Sequence, residues 1–156
     1  MRRDNAIVEL LNDVLTSELT SVNQYFVDSK MLSNWGYERL ADKFREESIS
    51  EMKDADELIG RILFLEGIPN LQRLGTLRVG EDVAEKLQAA LDLEYEAIER
   101  LNNGIATCVA AGDNGTRELL DDILQGEEEF ADWLETQQEL IRQVGDAHYL
   151  AQQIRS

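Results

Sequence analysis

Residues 66–80 read Glu66-Gly67-Ile68-Pro69-Asn70-Leu71-Gln72-Arg73-Leu74-Gly75-Thr76-Leu77-Arg78-Val79-Gly80. This stretch carries the chain's one proline and three of its glycines and shows neither helical nor alternating periodicity, so it reads as a connection. Extended at ~3.3 Å per residue, it reaches roughly 50 Å. The helical patterns on either side of it are each about 40 Å long at ~1.5 Å rise per residue. The connection is therefore long enough to travel the whole length of a helix and start the next one parallel to the last. Every other link is only a few residues, which returns the chain antiparallel. Two helical hairpins joined by one long crossover make an all-α four-helix bundle.

The helices follow from spacing outward from that segment. Upstream, Leu40, Phe44, Glu47, Glu51, Leu58, Ile62 and Leu65 share a face, giving a helix over roughly 38–64. Before it, Ile7, Leu11, Leu15, Glu18, Val22, Tyr25 and Ser29 predict a helix over roughly 5–34, stopping at Asn34-Trp35-Gly36. Downstream, Val83, Leu87, Leu91, Glu94, Ile98, Leu101 and Ile105 predict 83–111, broken at Gly112-Asp113-Asn114-Gly115. Leu120, Ile123, Glu127, Phe130, Leu134, Gln137 and Ile141 predict 116–144, and a short fifth helix is expected over 147–155. Residues 1–156 read as a single domain.

Each long stripe carries a glutamate where an apolar residue is expected: Glu18, Glu51, Glu94 and Glu127. One such glutamate is ordinarily a solvated side chain at the stripe's edge. Four at similar depths, roughly 11 to 13 residues from their helix starts, predict one layer across the core. Carboxylates facing one another away from water must take up a cation or hold protons. An oxygen-only set suits iron(II), manganese or magnesium, and bridging carboxylates hold two ions ~3.5–4 Å apart, so iron oxidation by dioxygen is the chemistry such a layer suggests.

Composition bounds the partners. A net charge of −17 and a pI near 4.3 leave no basic patch for nucleic acid or an anionic membrane, and favour cations. No run approaches the ~18 apolar residues of a membrane span. The start, Met1 to Glu9, lacks the apolar run of a secretory signal, and the one cysteine, Cys108, reads as core filling; a reducing cytoplasm is expected. The one histidine, His148, is expected in solvent near the C-terminus.

Five segments carry a specific resemblance: Asn23-Gln24-Tyr25-Phe26, Glu47 to Met52, Arg61 to Leu71, Gly80-Glu81-Asp82-Val83, and Asp132 to Thr136. Over nearly its whole length the chain resembles bacterioferritin, the haem-containing branch of the ferritins, whose ferritin-like bundle has this long crossover. The long crossover read from the length of residues 66–80 is one that family shares. What the resemblance implies is a hollow cage of roughly two dozen subunits built from two-fold dimers, storing ferric mineral and oxidising iron(II) at a di-iron centre in each bundle. It implies metal ligands at Glu18 and Glu94 and a Glu-x-x-His pair on each of the other two helices. This chain departs at both pairs: Asp54 follows Glu51, and Phe130 follows Glu127. Asp54 keeps an oxygen; Phe130 offers no ligand and is expected in the core.

By spacing alone, Met52 points about 100° away from Glu51, toward an outer face, where packing is the ordinary role. The resemblance implies instead that it is an axial ligand of a b-type haem on the two-fold axis, one thioether from each subunit, with Leu19, Asn23 and Phe26 lining the pocket. By the same resemblance Glu46, Glu47 and Ser50 face the cage interior, and Asn34, Glu66 and Asp132 line subunit-junction pores. The expected function is a haem-binding iron-storage subunit with little ferroxidase activity of its own, co-assembling with a competent second subunit and served by a ferredoxin-type reductant. The alternative is an active ferroxidase with the carboxylate-only set Glu18, Glu51, Asp54, Glu94 and Glu127. A DNA-protecting mini-ferritin is disfavoured, since no basic tail is present.

Overall fold

The computed structural model describes residues 4–155; the start of the segment read for a signal, Met1 to Arg3, lies outside them. Four long helices and a short one account for the secondary structure of the described residues: α1 (Asn5–Asn34), α2 (Glu38–Phe64), α3 (Val83–Ala111), α4 (Asn114–Val144) and α5 (Asp146–Ala151). The expected all-α bundle with one long crossover and a short fifth helix is what the chain forms. Three of the long helices begin at an aspartate whose carboxylate accepts from freed backbone N–H groups: Asp4 from Ala6 and Ile7, Asp82 from Glu85, and Asp113 from Thr116. Gly112 closes α3 in the left-handed region, at φ 70°, where a side chain would be strained.

Three boundaries differ from expectation, the smallest being the start of α5 at Asp146 rather than 147. α4 starts at Asn114 rather than 116, because Asp113 works as a cap rather than as part of a breaker. Its Oδ2 also accepts from the Thr116 hydroxyl at 2.6 Å, and Arg61 of α2 donates to its Oδ1 at 2.9 Å. α5 stops at Ala151 rather than 155, since Gln152 and Gln153 turn back onto Tyr149 and Leu150 in tighter bonds. The Gln153 carbonyl then accepts from Arg39 N–H at 3.0 Å, tying the tail to α2.

The apolar interior falls into two clusters. In one, Leu11 and Leu15 near the start of α1 meet Leu58 and Ile62 late in α2, Leu101 and Cys108 late in α3, and Leu120 and Ile123 early in α4. In the other, Tyr25 and Leu32 late in α1 meet Leu40 and Phe44, Leu87 and Leu91, and Phe130 and Leu134. Early α3 thus sits at the same end of the bundle as early α2, diagonally across it, so the crossover does set these helices parallel. α1 packs on α2 and α3, and α4 packs on α2, α3 and α5. Gly104 permits the approach of α1 to α3: a Cβ there would lie 2.6 Å from Leu10 Cδ1.

Candidate metal centre

Glu18, Glu51, Glu94 and Glu127 lie between the two apolar clusters, one from each long helix, and all are buried. The helical stripe that buries the leucines carries these side chains inward with them. One oxygen from each of Glu18, Glu51, Glu127 and the half-buried Asp54 falls within 4.8 Å of all the others. Glu94 stands outside that group of four, although sequence reasoning placed it in one ligand set with them. Its Oε1 accepts a 2.5 Å hydrogen bond from the Tyr25 hydroxyl. Tyr25 was legible only as an apolar member of the α1 stripe; its position seven residues beyond Glu18, on the same face, was the available signal.

Among the described residues, the buried side-chain atoms with no hydrogen-bond partner are Oε2 of Glu18, Glu51 and Glu94 and Oε1 of Glu127. Buried acceptors are nearly always satisfied, so unpartnered oxygens gathered in one layer mark a place built for a proton or a cation. Burial raises the pKa of Glu18, Glu51 and Glu127 well above the usual carboxylate range, and their mutual repulsion raises it further. Glu94 is pushed up to about 7 by burial, against hydrogen bonds from Glu127 and Tyr25 that pull it down. Asp54 is pushed up to about 6, again by burial first.

Phe130, one turn beyond Glu127, is 1% exposed. Its ring meets Tyr25 edge-on at 5.3 Å and Phe44 edge-on at 5.9 Å, and stacks on Trp133 at 5.8 Å. Lys43 Nζ lies 5.3 Å from the Trp133 ring centre and 5.9 Å from that of Phe130, and pairs with Glu47 at 3.3 Å. This end of the layer is therefore closed by apolar rings. The donors present, five carboxylates and no imidazole, do not fit a centre that takes a histidine at each of these two positions.

Met52 projects from the other side of α2 and is 51% exposed. Beside it is an open hollow of ≈ 470 Å³ lined by Leu19, Met52, Lys53, Ala55, Ile59 and Leu71, among others. Asn23 and Phe26, expected in the same pocket, are exposed on α1 but do not line this hollow. The Asn23 amide is turned back onto the Leu19 carbonyl at 2.8 Å. Sequence reasoning missed Lys53, Ala55, Asp56 and Ile59 of α2 and Leu71 of the crossover; an exposed leucine in an aperiodic segment gave no signal. His148 is exposed and Cys108 buried, with its thiol raised to about 11 by burial, as core filling requires.

No helix among the described residues is long and apolar enough to cross a membrane. The family described as Ferritin-like domain matches residues 8–144. The chain is 47% identical to a bacterioferritin of Mycobacterium leprae over 152 residues, covering 97% of this chain and 96% of that one. It is 45% identical to a bacterioferritin of Brucella melitensis (96% and 92% covered) and 44% identical to one of Streptomyces coelicolor (97% and 90%). Helices, crossover, buried glutamate layer and near-full-length identity agree: this chain belongs to the bacterioferritins, within the ferritin-like proteins.

Proposed function

We propose that this chain is a cytoplasmic iron-storage subunit, one ferritin-like domain over residues 1–156, that assembles into a cage of roughly two dozen subunits. In this reading it binds b-type haem between two copies through Met52 and contributes to storage and release of ferric iron. Its own ferroxidase centre is incomplete, and a second, ferroxidase-competent bacterioferritin subunit supplies rapid iron(II) oxidation. The observation that carries the proposal is a contrast between two side chains. Met52 keeps its thioether half-exposed on an apolar face, whereas Phe130 packs a buried ring where the family resemblance implies an iron ligand.

The haem site fits the residues present. Leu19, Ala55, Ile59 and Leu71 give the hollow an apolar wall, Met52 offers a soft sulfur donor, and Lys53 and Asp56 stand at its polar edge. Bound there, haem supplies one-electron chemistry, with a thioether ligand tuning its potential. Phe26, Ile49 and Phe64, each about half-exposed, extend the apolar surface along α1 and α2, as a contact with a second copy requires. A ferredoxin-type protein is the proposed electron donor for iron release. The negative surface repels nucleic acid and suits cationic cargo.

The test uses the purified full-length chain. It is expected to take up about one haem per two subunits, to lose that uptake in Met52→Leu with unchanged melting temperature, and to oxidise iron(II) little faster than buffer. Rapid iron-dependent oxygen consumption by the chain alone would instead support the second reading, an active carboxylate-only ferroxidase. That reading is favoured by the close approach of Glu18, Glu51, Asp54 and Glu127.

A further inference from the structure

We propose that the cavity between early α2, late α4 and α5 is a binding site for a small organic zwitterion, the class of an apolar α-amino acid. The cavity shares no residue with the carboxylate layer or with the hollow at Met52.

Size and polarity set the class. The cavity holds ≈ 530 Å³, within the range of pockets that enclose a small molecule and far more than one ion needs. Trp133, Leu140 and Val144, in one row along α4, give it an apolar wall. Gln137 stands in the same row at 8% exposure, and Gln153, just beyond α5, is 7% exposed. The Tyr149 hydroxyl donates to Gln137 Oε1 at 2.7 Å, which fixes that amide and leaves its N–H groups without a partner among the described residues. The Gln153 side chain likewise has none, although its backbone carbonyl accepts from Arg39 N–H. Buried amides are nearly always hydrogen-bonded, so two that line one cavity point to an occupant with oxygen acceptors.

Charge gives that occupant both signs. From α2, two cations, Arg39 and Lys43, and two carboxylates, Asp42 and Glu46, line the cavity, which is therefore formally neutral in a chain of net charge −17. Lys43 is already engaged by Glu47 and the Trp133 ring. Arg39, Asp42 and Glu46 make no ion pair among the described residues. Burial raises the Tyr149 pKa and the Arg39 charge works against that rise, which places the guanidinium toward the Tyr149–Gln137 hydrogen bond. A ligand carboxylate on Arg39 and the Gln137 amide, an ammonium turned to Asp42 or Glu46, and an apolar body on Leu140 and Val144 use both free charges and the buried donor together. An inorganic anion would face the two carboxylates unpaired, and a metal ion would face Arg39.

Calorimetric titration of the assembled full-length chain with L-leucine is the test, run without haem or iron. The expected result is one leucine per chain with a dissociation constant at or below ~1 mM. 4-Methylpentanoate, which lacks the ammonium, and 3-methylbutylamine, which lacks the carboxylate, should each bind about tenfold more weakly or worse. Arg39→Gln, at an exposed position, should weaken leucine binding by about tenfold, whereas Arg142→Gln, on α4 outside the cavity, should leave it unchanged. No detectable leucine binding, binding of either single-charge analogue as tight as that of leucine, or an equal effect of the two variants would overturn the proposal.

Discussion

Lys86 and Asp28 show what one residue can hide. Both side chains are at 0% exposure, with Nζ 2.9 Å from Oδ1, and the ammonium also lies 3.3 Å from Met31 Sδ and 5.2 Å from the Trp35 ring centre. Asp28 also accepts from the Gln24 amide at 3.3 Å. Burial raises the Asp28 pKa, and the ammonium works against that rise. Such a pair contributes little net stability, yet losing one member strands a buried charge. Lys86→Met should therefore lower unfolding stability by about 3–5 kcal/mol in urea titration, and Lys86→Met with Asp28→Leu should recover most of the loss. In sequence, Lys86 and Asp28 are two more charges on helices rich in them. Each falls on the buried face of its helix, three residues beyond Tyr25 and Val83, but a lone charge there ordinarily reads as a solvated edge, and the partner that permits burial lies 58 residues away.

The crossover is the element on which the topology turns, and α1 holds it along its length. Asn12 Nδ2 donates to the Ile68 carbonyl at 3.1 Å while its Oδ1 accepts from Asn70 N–H at 2.7 Å. Thr20 accepts from Gly75 N–H at 2.7 Å, and Gln24 accepts from Arg78 N–H at 2.6 Å while donating to the Arg78 carbonyl. Three polar side chains on one helix thus satisfy backbone groups that have no ladder of their own. Gln24→Ala removes two of these bonds, at about 1 kcal/mol each. Amide hydrogen exchange should quicken at Arg78 and its neighbours while the α3 core keeps its protection; uniform loss across the bundle would show that the crossover is not held locally. Length and aperiodicity made the crossover legible. Its anchors were not, because Asn12, Thr20 and Gln24 read as solvent-facing until another segment lies over them.

At the scale of the whole molecule, the carboxylate layer couples stability to protons and metal. Its groups have folded-state pKa values raised above their unfolded ones, Glu94 to about 7 and Asp54 to about 6, chiefly by burial. The native state then holds more protons than the unfolded chain, so this contribution is present below about pH 4 and is lost as pH rises through 7. Metal-free chain should melt at a lower temperature at pH 8 than at pH 5, and Glu94→Gln should shrink the difference. Saturating manganese should raise the pH 8 melting point by mass action; a melting point independent of both pH and metal would contradict the coupling. The sequence by itself determined the four long helices, the direction of the crossover, the shared depth of Glu18, Glu51, Glu94 and Glu127, and an apolar Phe130 beside them. These follow from periodicity and chain length, which are properties of one strand of residues. The tertiary structure alone decided that the Tyr25 hydroxyl donates to Glu94, that Leu71 walls the hollow at Met52, and that Lys86 is buried on Asp28. Each of these depends on side chains from different elements meeting at ångström range, a distance that no spacing along the chain encodes.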